Sequence, residues 1–160
     1  MTRQRLLVTL AAGGSLALLL GALAFQYIGG LAPCQLCLWQ RWPHAAAVVI
    51  GALALAMPGR VLPLLGALAA LTSAGIGLFH TGVERGWWEG LASCSAGSIS
   101  GLDVNDLLDP TVEIAAVVRC DEVAWQMLGL SMASWNALAS LALAVLWIMA
   151  ATQSRAIART

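Results

Sequence analysis

The chain has 160 residues, of which 60% are hydrophobic and only 10% charged, and its mean hydropathy is +0.84. Soluble domains carry about a quarter charged residues, so this composition excludes an ordinary soluble globule and points to a membrane protein. Formal net charge is zero and there is no basic run, so no nucleic-acid partner is implied. All eight basic residues are arginines; all eight acidic residues lie between Glu84 and Glu122, where Arg85 and Arg119 offset two of them to leave −6, against +6 on the rest of the chain.

A helix needs roughly 20 apolar residues to cross the hydrocarbon core. Four segments meet or approach that length: about Leu6–Ile28, a second starting at Leu36 or Trp42 and ending at Met57, about Val61–Phe79, and about Met132–Ala151. Backbone groups in lipid must bond internally, so each reads as a helix. The expectation is an all-α membrane protein, a four-transmembrane-helix bundle in one domain. Its outer loops would span about 29–41 and 80–131. The second and third spans, joined across Pro58-Gly59-Arg60, form a tight helical hairpin. Gly13, Gly14, Gly21, Gly51, Gly66 and Gly77 suit close helix approach.

The first segment also has a basic start and an Ala-Leu-Ala that resembles a signal-peptide cleavage site. Its apolar run is longer than a signal h-region, which favours a retained span. Arg3, Arg5, Arg60, Arg155 and Arg159 would share one side. The positive-inside rule makes that side cytoplasmic, with both termini. Arg41 and the acidic loop would face outward.

The first outer loop holds "APCQLCLWQRWPH". Cys34 and Cys37 enclose two residues, a loop too short for much chain-entropy stabilisation, so a purely structural bridge explains them weakly. They open an apolar helix, where free N–H groups and the helix dipole favour a thiolate. Arg41 falls one turn after Cys37 and can stabilise an anion there; it can equally be an interfacial anchor with its charge among headgroups. Position 38 is Leu, which excludes the C-x-x-C-H haem attachment. A single CxxC with no histidine nearby in sequence argues against zinc, so no metal is expected.

In the long second loop, Trp87 and Trp88 suit the membrane interface. "SAGSISGLDVNDLLDP" reads as turn-rich. "CDEVAWQMLGL" reads as a short interfacial helix capped by Asp121. Cys94 and Cys120, 25 residues apart between them, would by themselves read as a structural staple. The cysteine count is even and all four fall outside the spans, as expected in an oxidising compartment.

"PCQLCLWQRWP", "HTGVERGWWEG", "ASCSAG", "RCDEV" and "GLSMASWNAL" together resemble the bacterial disulfide bond formation protein B (DsbB) family, in the right order over most of the chain. The resemblance implies an inner-membrane thiol:quinone oxidoreductase with its redox loops in the periplasm. Such an enzyme reoxidises a soluble DsbA-like thiol oxidase and passes electrons to a membrane quinone, ubiquinone or menaquinone. It implies that Cys94 is attacked by the partner, that Cys120 relays to Cys34, and that Cys37 faces the quinone beside Arg41, with His80 near it. Arg85 departs from the neutral residue expected there. Two other classes remain: a quinone reductase resembling vitamin K epoxide reductase, whose CxxC would fall late in the chain, and a non-enzymatic scaffold stapled by disulfides.

Overall fold

The computed structural model describes residues 2–91 and 118–157. Four long helices make up the body: α1 (Arg3–Tyr27), α2 (Gln35–Ala56), α3 (Val61–Glu84) and α4 (Met132–Ile157). Before α4 lies a two-stranded antiparallel ribbon, β1 (Gln126–Met127) and β2 (Leu130–Ser131). Helices α1, α3 and the Met132–Gln153 part of α4 are each long and apolar enough to cross a membrane. Helix α2 is of similar length, but its first half carries Gln35, Gln40, Arg41 and His44. It starts at Gln35, next to the earlier of the two expected starts, Leu36, because Cys34 caps it.

The packing follows from side-chain size. Gly51 sits against the Ala12 methyl, Gly66 lies flat on the Trp147 ring, and Gly77 meets the backbone and methyl of the Ala133–Ala137 turn. These contacts let the helices approach where dispersion rather than the hydrophobic effect must hold them. Trp147 is fully buried among Leu7, Val8, Ala11, Ala47, Ala67 and Ala70. Leucines such as Leu10, Leu20, Leu68 and Leu138 face outward, as lipid requires.

Gln4 donates to the Gly59 carbonyl at 2.8 Å. That bond joins the start of α1 to the α2–α3 turn, so Arg3, Arg5 and Arg60 share one end of the bundle. Cys34, Cys37 and His80 lie at the other.

The helix expected over Asp121–Leu128 is not formed. Asp121 instead accepts two hydrogen bonds from Arg119. Leu128 and Gly129 take positive φ (54° and 76°), and Met127 pairs with Leu130 in a two-residue hairpin. A left-handed pair at Leu-Gly breaks helical continuity and matches the twist of a tight ribbon turn. The expected turn-rich stretch at 95–110 lies outside the described residues.

Gly66→Ala would put a methyl 2.5 Å from the Trp147 ring, which is enclosed and has no room to withdraw. We expect a loss of about 1–3 kcal/mol, the usual cost of overpacking. It would be read as a lower melting temperature in detergent, and an unchanged value would contradict the packing described.

Candidate functional site

The site begins with the cap of α2. Cys34 has extended backbone angles, and its sulfur accepts from the Cys37 N–H at 3.2 Å, the bond an N-cap side chain makes. One helical turn brings the Cys37 sulfur to 2.8 Å from that of Cys34. The two are free thiols hydrogen-bonded to each other. The bond with Cys37 is the largest influence holding Cys34 far below the ordinary thiol range, at about 4; burial opposes it, and His80, 3.6 Å away, assists. The negative charge of the reduced pair therefore rests on Cys34, at the positive end of the helix.

His80 is brought to this sulfur from the C-terminal end of α3. Its orientation is set by Gln40, whose amide nitrogen lies 3.1 Å from both the Leu36 carbonyl and His80 Nδ1. An amide nitrogen can only donate, so Nδ1 accepts and the proton sits on Nε2, facing Cys34. Nε2 also lies 3.9 Å from Glu84, whose carboxylate accepts from the Ser131 hydroxyl, and the backbone of Cys120 hydrogen-bonds the same imidazole. Cys120 is fully buried, disulfide-bonded, and packed in one cluster with Cys34, Leu36 and Val83. Cys94 lies outside the described residues.

The Cys34, Cys37 and His80 ligand atoms fall within 4.8 Å of one another, which raises the question of a metal. Two thiolates on zinc each sit roughly 2.3 Å from the ion in tetrahedral directions, and so stand well apart. Sulfurs at 2.8 Å fit a pair poised to close a disulfide better.

On the other side of Cys37 lies a cavity of about 300 Å³ between α1, α2 and α4. Its walls are mainly apolar, from Leu18, Ala22, Phe25, Trp125, Met132 and Trp135, and its polar groups come from Gln40, Arg41, His44 and Asn136. Cys37 lines both this cavity and a smaller cleft that holds Cys34, His80, Glu84 and Arg119. Trp125, just before the ribbon, meets Phe25 of α1 in a tilted ring pair with centroids 5.2 Å apart, and both line the cavity.

Arg41 belongs to the cavity. Its terminal nitrogens donate to Gln26 Oε1 at 2.6 Å and to the Ala22 carbonyl at 3.4 Å, both on α1. Its hydrogen bonds thus run across the cavity wall, and the groups that stabilise the Cys34 charge are Cys37 and His80. Arg85 lies over the Trp87 ring, 5.5 Å from its centroid.

Gln40, Ser73, Asn136 and His44 were not singled out in the sequence. The available signal was polarity within otherwise apolar spans, which marks function by default.

A membrane-embedded helical bundle with an activated cysteine pair between an outer cleft and an apolar cavity is the framework of a thiol–disulfide oxidoreductase. The profile of the family "Disulfide bond formation protein DsbB" matches residues 4–150. Disulfide bond formation protein B of Methylococcus capsulatus is 37% identical over 126 residues, covering 74% of this chain and 76% of the relative. The protein of the same name from Xanthomonas oryzae is 34% identical over 158 residues, covering 92% and 88%. Disulfide bond formation protein B 2 of Pseudomonas aeruginosa is 30% identical over 140 residues, covering 83% and 82%. No solved structure matches significantly. The chain belongs to the DsbB family, and is a multi-pass protein of the bacterial inner membrane.

The thiolate assignment is testable by titration. With Cys94 and Cys120 replaced by Ser and the remaining pair reduced, thiolate absorbance should persist at neutral pH and fall only near pH 4. Because the folded value lies below the ordinary 9.0, the associated stability is fully present above pH 9.0 and is lost by about pH 4. Cys37→Ala removes the largest stabilising contact, so the midpoint should rise; an unmoved midpoint would contradict the assignment.

Proposed function

We propose that the protein is a thiol:quinone oxidoreductase that reoxidises a periplasmic DsbA-like dithiol oxidase and delivers the electrons to ubiquinone or menaquinone in the membrane. The single observation that carries this reading is the position of Cys37, which lines both the cleft that holds Cys34 and the apolar cavity. A thiol–disulfide relay ends at such a residue. The cysteines sit at the opposite end from Arg3, Arg5 and Arg60, which supports a topology of four crossings with arginines in the cytoplasm and cysteines in the periplasm.

The relay balances in three stages. A thiolate of the partner attacks Cys94 of a Cys94–Cys120 disulfide, and the partner leaves as its own disulfide, giving two reduced cysteines. Cys120 attacks Cys34 of the Cys34–Cys37 disulfide, with Cys37 as leaving group. Cys94 then attacks Cys120, which restores the first disulfide and leaves Cys34 and Cys37 reduced. The burial of Cys120 against Cys34 supports the middle exchange. His80 Nε2–H supports the last exchange, since it stabilises charge on Cys34 when Cys94 displaces that sulfur from Cys120.

The cavity fits a quinone ring: it is mainly apolar, lies between α1, α2 and α4, and carries the polar side chains of Gln40, Arg41, His44 and Asn136 on its wall. A quinone held there supplies an acceptor for two electrons and two protons. Arg41 is fixed to α1 by Gln26 and so presents its remaining N–H at a set position.

In detergent, with reduced DsbA-like partner and a short-chain ubiquinone, quinone loss should match partner oxidation one for one. Cys37→Ser should bring it to background, and retained turnover would overturn the mechanism. Arg41→Lys breaks the fork to Gln26 and Ala22, so the apparent KM for quinone should rise about tenfold with the KM for partner unchanged. An equal effect on both would return Arg41 to an anchoring role.

A further inference from the structure

We propose that Glu84 is a positioning residue for the cysteine pair: by competing for the His80 Nε2–H and holding negative charge beside Cys34, it makes the reduced pair a stronger electron donor. This deepens the reading above, on which its purpose rests.

Glu84 is the last residue of α3, one helical turn after His80 and so on the same face. Its side chain is only 7% exposed, and it lines the cleft that holds Cys34 and Cys37. Taken alone, the placement is unfavourable. A carboxylate loses hydration on burial, and the C-terminal end of a helix is its negative end. Among the described residues no arginine pairs with it. Arg119, which also lines the cleft, forks onto Asp121 at 3.0 and 2.6 Å and reaches Glu122 at 3.5 Å. Arg85, the next residue, lies over the Trp87 ring.

The carboxylate is nevertheless held firmly. Ser131 on β2 accepts from the Ser134 N–H at 3.2 Å, and its hydroxyl donates to Glu84. Thr81 gives its own hydrogen to the Gly77 carbonyl at 2.9 Å, so its oxygen can accept from Ser134 Oγ at 3.1 Å. Hydroxyls from the ribbon, α4 and α3 thus brace Glu84 in position.

It is braced toward the imidazole. With Nδ1 taken by Gln40, neutral His80 has one hydrogen, on Nε2. That nitrogen is 3.6 Å from the Cys34 sulfur and 3.9 Å from Glu84 Oε1. The Cys120 backbone also bonds this ring, but as a neutral group. When Cys34 is in a disulfide it carries no charge, and the carboxylate is the stronger acceptor. When Cys34 is a thiolate, two anions share one donor and also repel each other. Both effects act against the thiolate, and hence against the reduced pair. A less stable reduced form means a lower reduction potential, so electrons leave the pair more readily.

The test is a redox equilibrium in detergent, with graded mixtures of reduced and oxidised glutathione. The full chain would be used with Cys94 and Cys120 replaced by Ser. Two glutathione thiols reduce the Cys34–Cys37 disulfide to two thiols and leave as one glutathione disulfide; alkylation counts the reduced fraction. Glu84→Gln keeps an acceptor for Ser131 and removes the charge. We expect its equilibrium to move about tenfold toward the dithiol, about 30 mV for a two-electron couple. Glu84→Asp keeps the charge but withdraws it by one methylene, so it should shift the same way by a smaller factor. A merely structural role gives the opposite sign, because a loosened cleft loses the His80 contact that stabilises the Cys34 thiolate. An unmoved equilibrium, a shift toward the disulfide, or Glu84→Asp displaced as far as Glu84→Gln would overturn the inference. Should Glu84→Gln fail to fold, Glu84→Asp decides alone: movement toward the dithiol supports the inference, and none overturns it. The equilibrium contains no quinone. A wild type that equilibrates with glutathione yet never reduces quinone would defeat the reading above, whereas variants that match the wild type defeat only this inference.

Discussion

The arrangement of the whole site depends on the Gln40 amide. Buried in lipid-depth helix packing, it must use all its hydrogen-bonding capacity, and it does so on three elements at once. Its nitrogen serves the Leu36 carbonyl on α2 and His80 on α3, and its oxygen receives Asn136 from α4. Because the nitrogen donates to His80 Nδ1, the imidazole proton is directed at Cys34. Because the oxygen accepts from Asn136, that residue presents its own oxygen to His44. One side chain thus fixes the tautomers of both histidines, on opposite sides of Cys37. In a low-dielectric interior such a network is favourable only when every member is satisfied. Within this network the Nδ1 of His44 is the exception: it is buried and has no partner among the described residues.

This constraint also explains why the reactive pair sits at one end of the bundle. Cys34 must be a helix cap to receive the Cys37 N–H, and a cap lies at a helix end by definition. In the proposed relay that end also receives an apolar acceptor from the lipid and a loop that carries the second disulfide; Cys37, which lines both the cleft and the cavity, is placed to serve both. The glycine contacts at Ala12, Trp147 and Ala133 bring the four helices close enough for side chains as short as Ser73 and Asn136 to bridge them.

Much of this was legible in the sequence because it is local. The spans of α1, α3 and α4 follow from apolar runs, and the CxxC at a helix start carries its chemistry within four residues. Cys120 packs in one buried cluster with Cys34, a proximity that neither segment shows by itself. What was misread depends on backbone conformation or on long-range partners. The apolar spacing of Val123, Trp125, Met127 and Leu128 reads as a helical face, yet Gly129 licenses a left-handed turn that makes a ribbon. Arg41 lies one turn from Cys37 in sequence, but Gln26, 15 positions earlier, takes its guanidinium. His44 and Asn136 are separated by 92 positions, so nothing in either segment alone reveals that they meet.

The central claim is that electrons leave the Cys34–Cys37 pair for an acceptor dissolved in the bilayer. The most direct test is a single anaerobic turnover in lipid nanodiscs, with the pair reduced beforehand and ubiquinone present only in the lipid. Thiols lost and ubiquinol formed would be counted together. The account predicts one ubiquinol for each Cys34–Cys37 disulfide closed, with no closure in quinone-free lipid. Thiols that remain reduced beside excess ubiquinone, or that close equally well without it, would contradict the account.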